Sequence, residues 1–286
     1  MITALNRPQK FTVELTITIP WSEVKKEFEK SLGELCQEIE LPGFRKGKAP
    51  KELVEKSISK DKLRESVLTK IIPQSYSQAI KDNGLKPIVN PRIQILSVEE
   101  NKDWSFKALT CETPAVELGN YRKEIDALYT KDKIWVPGKS DNKPENQASK
   151  KEDYLQQVLD IILKTTKVEI PEILVEDETN RLLADLLDQT QKLGLTVEQY
   201  LTARNITSDQ IKAQYYKRAQ TTLTLEFILQ KIAEEEKITV EENEIETLIE
   251  KTVDPKEKAA LKEQKPYLTA ILLRQKTLDM LVKPLS

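Results

Sequence analysis

The sequence predicts an α+β N-terminal domain with a small antiparallel sheet, followed by an elongated all-α C-terminal domain, so that the chain is mainly helical overall. Three observations carry this expectation. Residues 11–19 alternate apolar and polar side chains without a break. From residue 153 onward the apolar residues recur with helical period, and a polar, turn-rich stretch separates the two patterns. A length of 286 residues exceeds one ordinary core and fits about two domains. With 32% charged and 38% hydrophobic residues, 7 Gly and 14 Pro, the helices must carry wide polar faces. The expected boundaries are 1–115 for the first domain, 116–150 for a linker and 151–286 for the second domain.

Taken in order, Phe11, Val13, Leu15, Ile17 and Ile19 fall on one face of the first strand, with Thr12, Glu14, Thr16 and Thr18 on the other. Pro20 ends that strand. A helix follows from Ser22, a good N-cap residue, with Val24, Phe28, Leu32, Leu35 and Ile39 on one stripe. A short helix over 50–57 and a longer one over 60–83 come next. The longer one carries Leu63, Val67, Leu68, Ile71, Ile72, Tyr76 and Ile80; Pro73 is expected to bend or break it, and Asn83-Gly84 to close it. Strands at 88–98 and 104–110, joined by the polar turn 99–103, complete a β-α-α-β-β order.

Residues 114–150 hold Pro137-Gly138 and the turn-rich run 141–147, which read as a linker tacked onto a neighbouring surface by Tyr121, Tyr129 and Trp135. Beyond it, Tyr154, Leu155, Val158, Leu159 and Ile162 form one helical stripe, and Pro171 restarts the pattern. Val175, Leu182, Leu183, Leu186, Leu187 and Leu193 form the next stripe, ending at Gly194. Thr196 with Gln199 makes a capping box. Ser208 caps a long helix through Ile211, Ala219, Phe227 and Ile232, whose acidic end, Glu234 to Glu236, should fray because the helix dipole disfavours anions there. Thr239 opens another helix, and a last pair follows, around 259–261 and over 267–282. No β signal appears in this half.

The absence of histidine excludes Ser-His-Asp and Cys-His nucleophiles and imidazole-dependent zinc sites. Cys36 and Cys111 form no CxxC, so a four-thiolate metal site is excluded too, and both read as buried structural thiols. Neither GxxxxGK[ST] nor GxGxxG occurs, so no cofactor or nucleotide is expected. No apolar run approaches the roughly 18 residues a membrane span needs, and no charged-then-apolar leader begins the chain, so a reducing cytoplasm fits best.

The most informative stretch is LPGFRKGKAP at residues 41–50, which sets an aromatic and three cations on a tight loop between two helices, with no acid. Residues 1–115 carry 19 Lys and Arg against 16 Asp and Glu, while the segment 44–64 alone carries 8 against 3, so positive potential gathers at and just after this loop. On pattern alone the loop is either an ordinary turn with solvated lysines or a contact for an anionic partner.

This stretch, Gly43 to Pro50 between two helices of a small α/β domain, resembles the ribosome-docking signature of bacterial trigger factor. The run VEIPEILVE at 168–176, leading into a leucine-rich helix, is similar to the start of that family's helical chaperone domain. The resemblance covers about 1–125 and 151–286. It implies docking at the exit tunnel of the large ribosomal subunit through Gly43, Phe44, Arg45, Lys46, Gly47 and Lys48. In that role Phe44 gives an apolar contact, while Arg45 and Lys46 pair with acidic side chains or ribosomal RNA phosphate. It also implies holding of nascent or unfolded polypeptides by the helical half, in the bacterial cytoplasm, without ATP. Homodimerisation of the free protein stays open. The chain departs from the family in one respect: an FKBP-type prolyl isomerase domain usually separates the two parts, and 116–150 is too short and polar to form one. No catalytic residue is therefore expected. A holding or assembly chaperone free of the ribosome is the alternative reading, and residual isomerase activity the alternative of another class.

Overall fold

The computed structural model describes residues 1–38, 59–132, 144–250, 258, 261 and 264–282. The expected short helix at 50–57 lies outside them. The chain divides into two compact units, Met1–Thr113 and Pro114–Ser286.

The first unit holds β1 (Ile2–Asn6), β2 (Thr12–Ile19), α1 (Trp21–Glu38), α2 (Lys60–Asp82), β3 (Arg92–Ser97) and β4 (Trp104–Cys111). The four strands form one antiparallel sheet in the order β1-β2-β4-β3. The alternation in β2 works as expected: Val13, Leu15, Ile17 and Ile19 are fully or almost fully buried. With Trp104, Phe106 and Ala108 of β4 they form the face on which Val24 of α1 and Val67, Ile71 and Ala79 of α2 pack. Both cysteines are buried, and they form no disulfide with each other.

Several elements differ from the sequence expectation. β1 is an additional strand, so the order is β-β-α-α-β-β. Phe11 precedes β2, in a turn with φ of 61°, and does not extend the buried face. The helix α1 begins at Trp21, and its first free N–H is capped from a distance, by the Asp103 carboxylate at 2.8 Å, not by Ser22. The α2 helix runs through Pro73 without a break and ends at Asn83 and Gly84, whose φ of +62° suits glycine. The strand expected over 88–98 is shorter, at Arg92–Ser97.

The second unit contains β5 (Val116–Glu117), α3 (Tyr121–Asp132), α4 (Pro144–Thr165), β6 (Lys167–Val168), α5 (Glu172–Lys192), α6 (Val197–Ala203), α7 (Ser208–Glu235), α8 (Glu242–Glu250) and α9 (Lys265–Val282). Its main core joins Tyr121 and Ile125 of α3, Val158 and Ile162 of α4, Ile228, Leu229 and Ile232 of α7, and Leu281 of α9. A satellite core of Ile245, Ile249 and Leu268 joins α8 to α9. The α7 helix also pairs with α5, where Ile173, Leu174, Val175 and Leu186 are buried.

Here too the sequence reading needs correction. The stretch 116–150 contains a two-residue strand, the helix α3 and the start of α4; Tyr121 and Ile125 are core residues, 3% and 2% exposed. β6 pairs with β5, so the half is not free of β structure. The N-cap of α7 is Thr207, in a full capping box with Gln210, one residue before the expected Ser208. The α8 helix is opened by Glu241, whose N–H donates to Glu244 Oε2 at 3.0 Å, and not by Thr239. That bond and, more strongly, Lys276 hold the Glu244 carboxyl below its usual range. The acidic end of α7 is tied down. Lys237 takes φ of 54°, Ile238 N–H donates to Ala233 O at 2.9 Å, and Glu236 accepts from both Arg122 and the Tyr121 hydroxyl. Two local donors and a cation offset the unfavourable dipole there.

Candidate functional site

The loop residues Gly43, Phe44, Arg45, Lys46, Gly47 and Lys48 lie outside the described residues. The described residues do define its two supports. On one side is α1, which reaches Glu38; on the other is α2, whose N-cap Ser59 accepts from Lys62 N–H. The helices are held to each other by Lys70 of α2, which donates to Ser31 at 3.4 Å and pairs with Glu34. They are held to the sheet by the shared core. Loop ends fixed on two packed helices cost less ordering when the loop meets a partner.

Between these supports opens a cleft of about 390 Å³, walled by Trp21, Phe28, Leu32, Leu63, Val98 and Trp104. The rings of Trp21 and Phe28 lie 6.0 Å apart, and Phe28 meets Trp104 edge-on at 5.5 Å. Trp104 Nε1–H donates to Glu99 O at 3.1 Å, which fixes the indole. The cleft rim is charged: Lys60 pairs with Glu100 at 3.2 Å, and Arg64 with Asp61 at 3.5 Å. These exposed pairs contribute little stability, at most about 1 kcal/mol each, and leave the rim cations open to exchange partners. The aromatic wall was not singled out in the sequence because Phe28 and Trp104 lie far apart there, on a helix stripe and a strand.

In the second unit the exposed apolar side chains gather around the end of α5. Leu193 is 74% exposed, Leu187 42% and Leu195 41%. The sequence placed Leu186, Leu187 and Leu193 on a core stripe; of these three only Leu186 is buried. On α9, Tyr267 is 63% and Ile271 38% exposed. Single exposed apolar residues are ordinary, but a run of them beside a helix turn suits weak, many-point contact with an apolar chain. Among the described residues there is no cluster of three or more metal-ligating side chains, and no helix is long and apolar enough to cross a membrane.

The described residues thus make up a small antiparallel-sheet unit and a separate helical unit with apolar side chains on its surface. The chain belongs to the bacterial trigger factor family. The family model for bacterial trigger factor protein matches residues 1–134, and that for the trigger factor C-terminus matches residues 139–283. The two matches leave 135–138 between them. Among curated relatives, trigger factor of Carboxydothermus hydrogenoformans is 37% identical over 113 residues, covering 40% of this chain and 26% of the relative. Trigger factor of Corynebacterium aurimucosum is 32% identical over 133 residues, covering 46% and 30%. The chain thus spans between a quarter and a third of the length of these relatives. A solved structure, from work on promiscuous substrate recognition in the folding and assembly activities of the trigger factor chaperone, shares the fold with a TM-score of 0.66 over 99% of each chain at 14% identity.

Proposed function

We propose that this protein is a cytoplasmic, ATP-independent chaperone that docks beside the polypeptide exit tunnel of the large ribosomal subunit and holds nascent or unfolded chains. The observation that carries this reading is the sequence GFRKGKAP at 43–50, within the family match and between α1 and α2 in chain order. Phe44 supplies an apolar contact, Arg45 and Lys46 supply charge-assisted bonds to carboxylate or phosphate, and Gly43, Gly47 and Lys48 complete the tip. A contact this small is reversible and weakens as salt screens it. Client holding falls to the apolar spots around Leu187, Leu193 and Leu195, each worth about 1 kcal/mol or less of net burial.

Co-sedimentation with ribosomes tests the docking. The wild type is expected to pellet with ribosomes at low salt and to leave them at moderate salt, while Phe44→Ala/Arg45→Ala/Lys46→Ala stays in the supernatant throughout. Equal behaviour of the two proteins would transfer the reading to a holding chaperone that works free of the ribosome. The same reading carries no catalytic step, since the two family matches adjoin without room for an isomerase module. A protease-coupled prolyl isomerase assay is expected to stay at the uncatalysed rate; acceleration proportional to protein concentration would overturn the non-enzymatic part.

A further inference from the structure

Both helices of the first unit rest on the sheet through apolar side chains, Val24 and Phe28 from α1 and Val67, Ile71 and Ala79 from α2. Toward each other they present polar groups. Glu27, Ser31 and Glu34 follow one another on α1 at spacings of four and three, so they share one stripe. Ser31 is fully buried and Glu27 is 7% exposed. The facing positions on α2 are Lys70, Gln74 and Ser75, and a groove of about 460 Å³ separates the helices beside Glu27 and Ser75.

An apolar seam fixes the distance between two helices by close packing; a polar seam with a groove in it does not. The distance then rests on particular bonds. Among the described residues Lys70 alone supplies them between α1 and α2: its Nζ donates to Ser31 Oγ at 3.4 Å and pairs with the Glu34 carboxylate. Two carboxylates and a hydroxyl on the α1 stripe offer acceptors, and a long cationic donor from α2 meets two of them at once. The Lys70 side chain is 31% exposed and one of its acceptors is fully buried, so salt screens this contact less than a surface pair. Glu34 stands one turn before the end of α1, where the chain leaves for residues 39–58, and Lys70 lies about three turns into the helix that takes it up again.

We propose that Lys70 is a positioning residue for the docking loop, setting the separation of the two helices between which that loop runs. The role rests on the ribosome docking proposed above. A fixed separation narrows the conformations open to the loop before it meets its partner, which lowers the ordering cost of docking.

The test exchanges the two charges in ribosome pelleting titrations of the full chain at one low salt concentration. Lys70→Glu and Glu34→Lys each set like charges against one another. Glu34→Lys/Lys70→Glu restores the pair with its sense reversed, the Ser31 hydroxyl donating in place of accepting. Each single variant is expected to bind at least about fivefold more weakly, and the double variant to return to within about twofold of the wild type. Glu34→Lys is decisive because it adds positive charge to a protein docking on an anionic surface. Charge alone would tighten its binding. That result, or a double variant as weak as the singles, overturns the proposal.

A second measurement needs no ribosome. Spin labels on Gln37→Cys of α1 and Glu65→Cys of α2, both exposed positions, report the helix separation in a chain with Cys36 and Cys111 replaced by alanine. One narrow distance distribution is expected for the natural pair and for the double variant, and a longer or broader one for each single. Identical distributions in all four proteins sink the proposal even where pelleting differs. Should a single variant melt below the assay temperature, Lys70→Met, which keeps an apolar stem and removes the charge, takes its place. Its pelleting is expected to weaken about threefold, and unchanged pelleting counts against the role. Distances that follow the pair in a wild type that does not pellet would remove the docking reading and keep Lys70 as a spacer. Wild-type pelleting with unmoved distances removes the spacer alone.

Discussion

Replacing Trp104 with alanine is expected to destabilise the first unit by about 3–5 kcal/mol, the largest single effect of any core substitution in that unit. The indole is 2% exposed and stands where three parts of the unit meet. On β4 it lies opposite Ile19 of β2; across the cleft it meets Phe28 of α1 edge-on at 5.5 Å; and its Nε1–H reaches back to Glu99 O at 3.1 Å. Truncation removes the transfer free energy of the ring, leaves a void between the sheet and helix α1, and frees the turn that positions Asp103. Asp103 caps Trp21 N–H, so the start of α1 loosens with it. Calorimetry should show the melting of this unit lowered by 10 °C or more, on the scale of about 4–8 °C per kcal/mol for a domain near this size. A loss below about 1 kcal/mol would mean that the cleft already accommodates the missing ring.

The second large effect is expected at Gly119, between β5 and α3. A Cβ there would lie 2.2 Å from the carbonyl oxygen of Thr165 and 3.2 Å from its carbon. The obstacle is main chain at the end of α4, which cannot rotate out of the way as a side chain does. Gly119→Ala must therefore push the β5 segment away from α4, at a cost of about 1–3 kcal/mol, and Gly119→Val more. Gly33 supplies the contrast. It lies inside α1 with nothing within 4 Å of the position a Cβ would take, so Gly33→Ala should stabilise the first unit by roughly 0.5–1 kcal/mol. Chemical denaturation of the two variants should move in opposite directions. Equal midpoints for Gly119→Ala and wild type would show that β5 moves freely against α4.

What could be read from the sequence followed one physical distinction. Elements whose own residues encode their periodicity were legible: the alternation of β2, the stripe of α2 through Tyr76 and Ile80, the capping box at Thr196 and the glycine stops at Gly84 and Gly194. Elements that exist through a partner were not. β1 carries no alternation, and Ile2 is 70% exposed; it is a strand because β2 offers it a ladder. The cap of α1 comes from Asp103, eighty-two positions away in sequence. β6 is two residues long and is defined only by β5. In 116–150 Tyr121 read as an anchor of a turn-rich linker, although its spacing of four and three to Ile125 and Leu128 is helical. At the candidate site the position is reversed. The loop motif stands in the sequence alone, while the aromatic wall of the cleft and the exposure of Leu193 required the fold.

The two-residue ribbon of Val116 with Val168 and Glu117 with Lys167 has a consequence for how this chain can change length. It clasps together the ends of the stretch between them, and α3 and α4 pack along that stretch, with Tyr129 edge-on to Tyr154 at 6.1 Å. The result is a stem closed at its base and joined at its far end through residues 133–143. For such a stem, the span that joins the helices enters folding through loop closure, at only about 0.6 kcal/mol for each doubling of its length. The far end is thus a socket: a few residues or a whole folded module can be fitted there while the clasp and the core beneath it keep the same contacts.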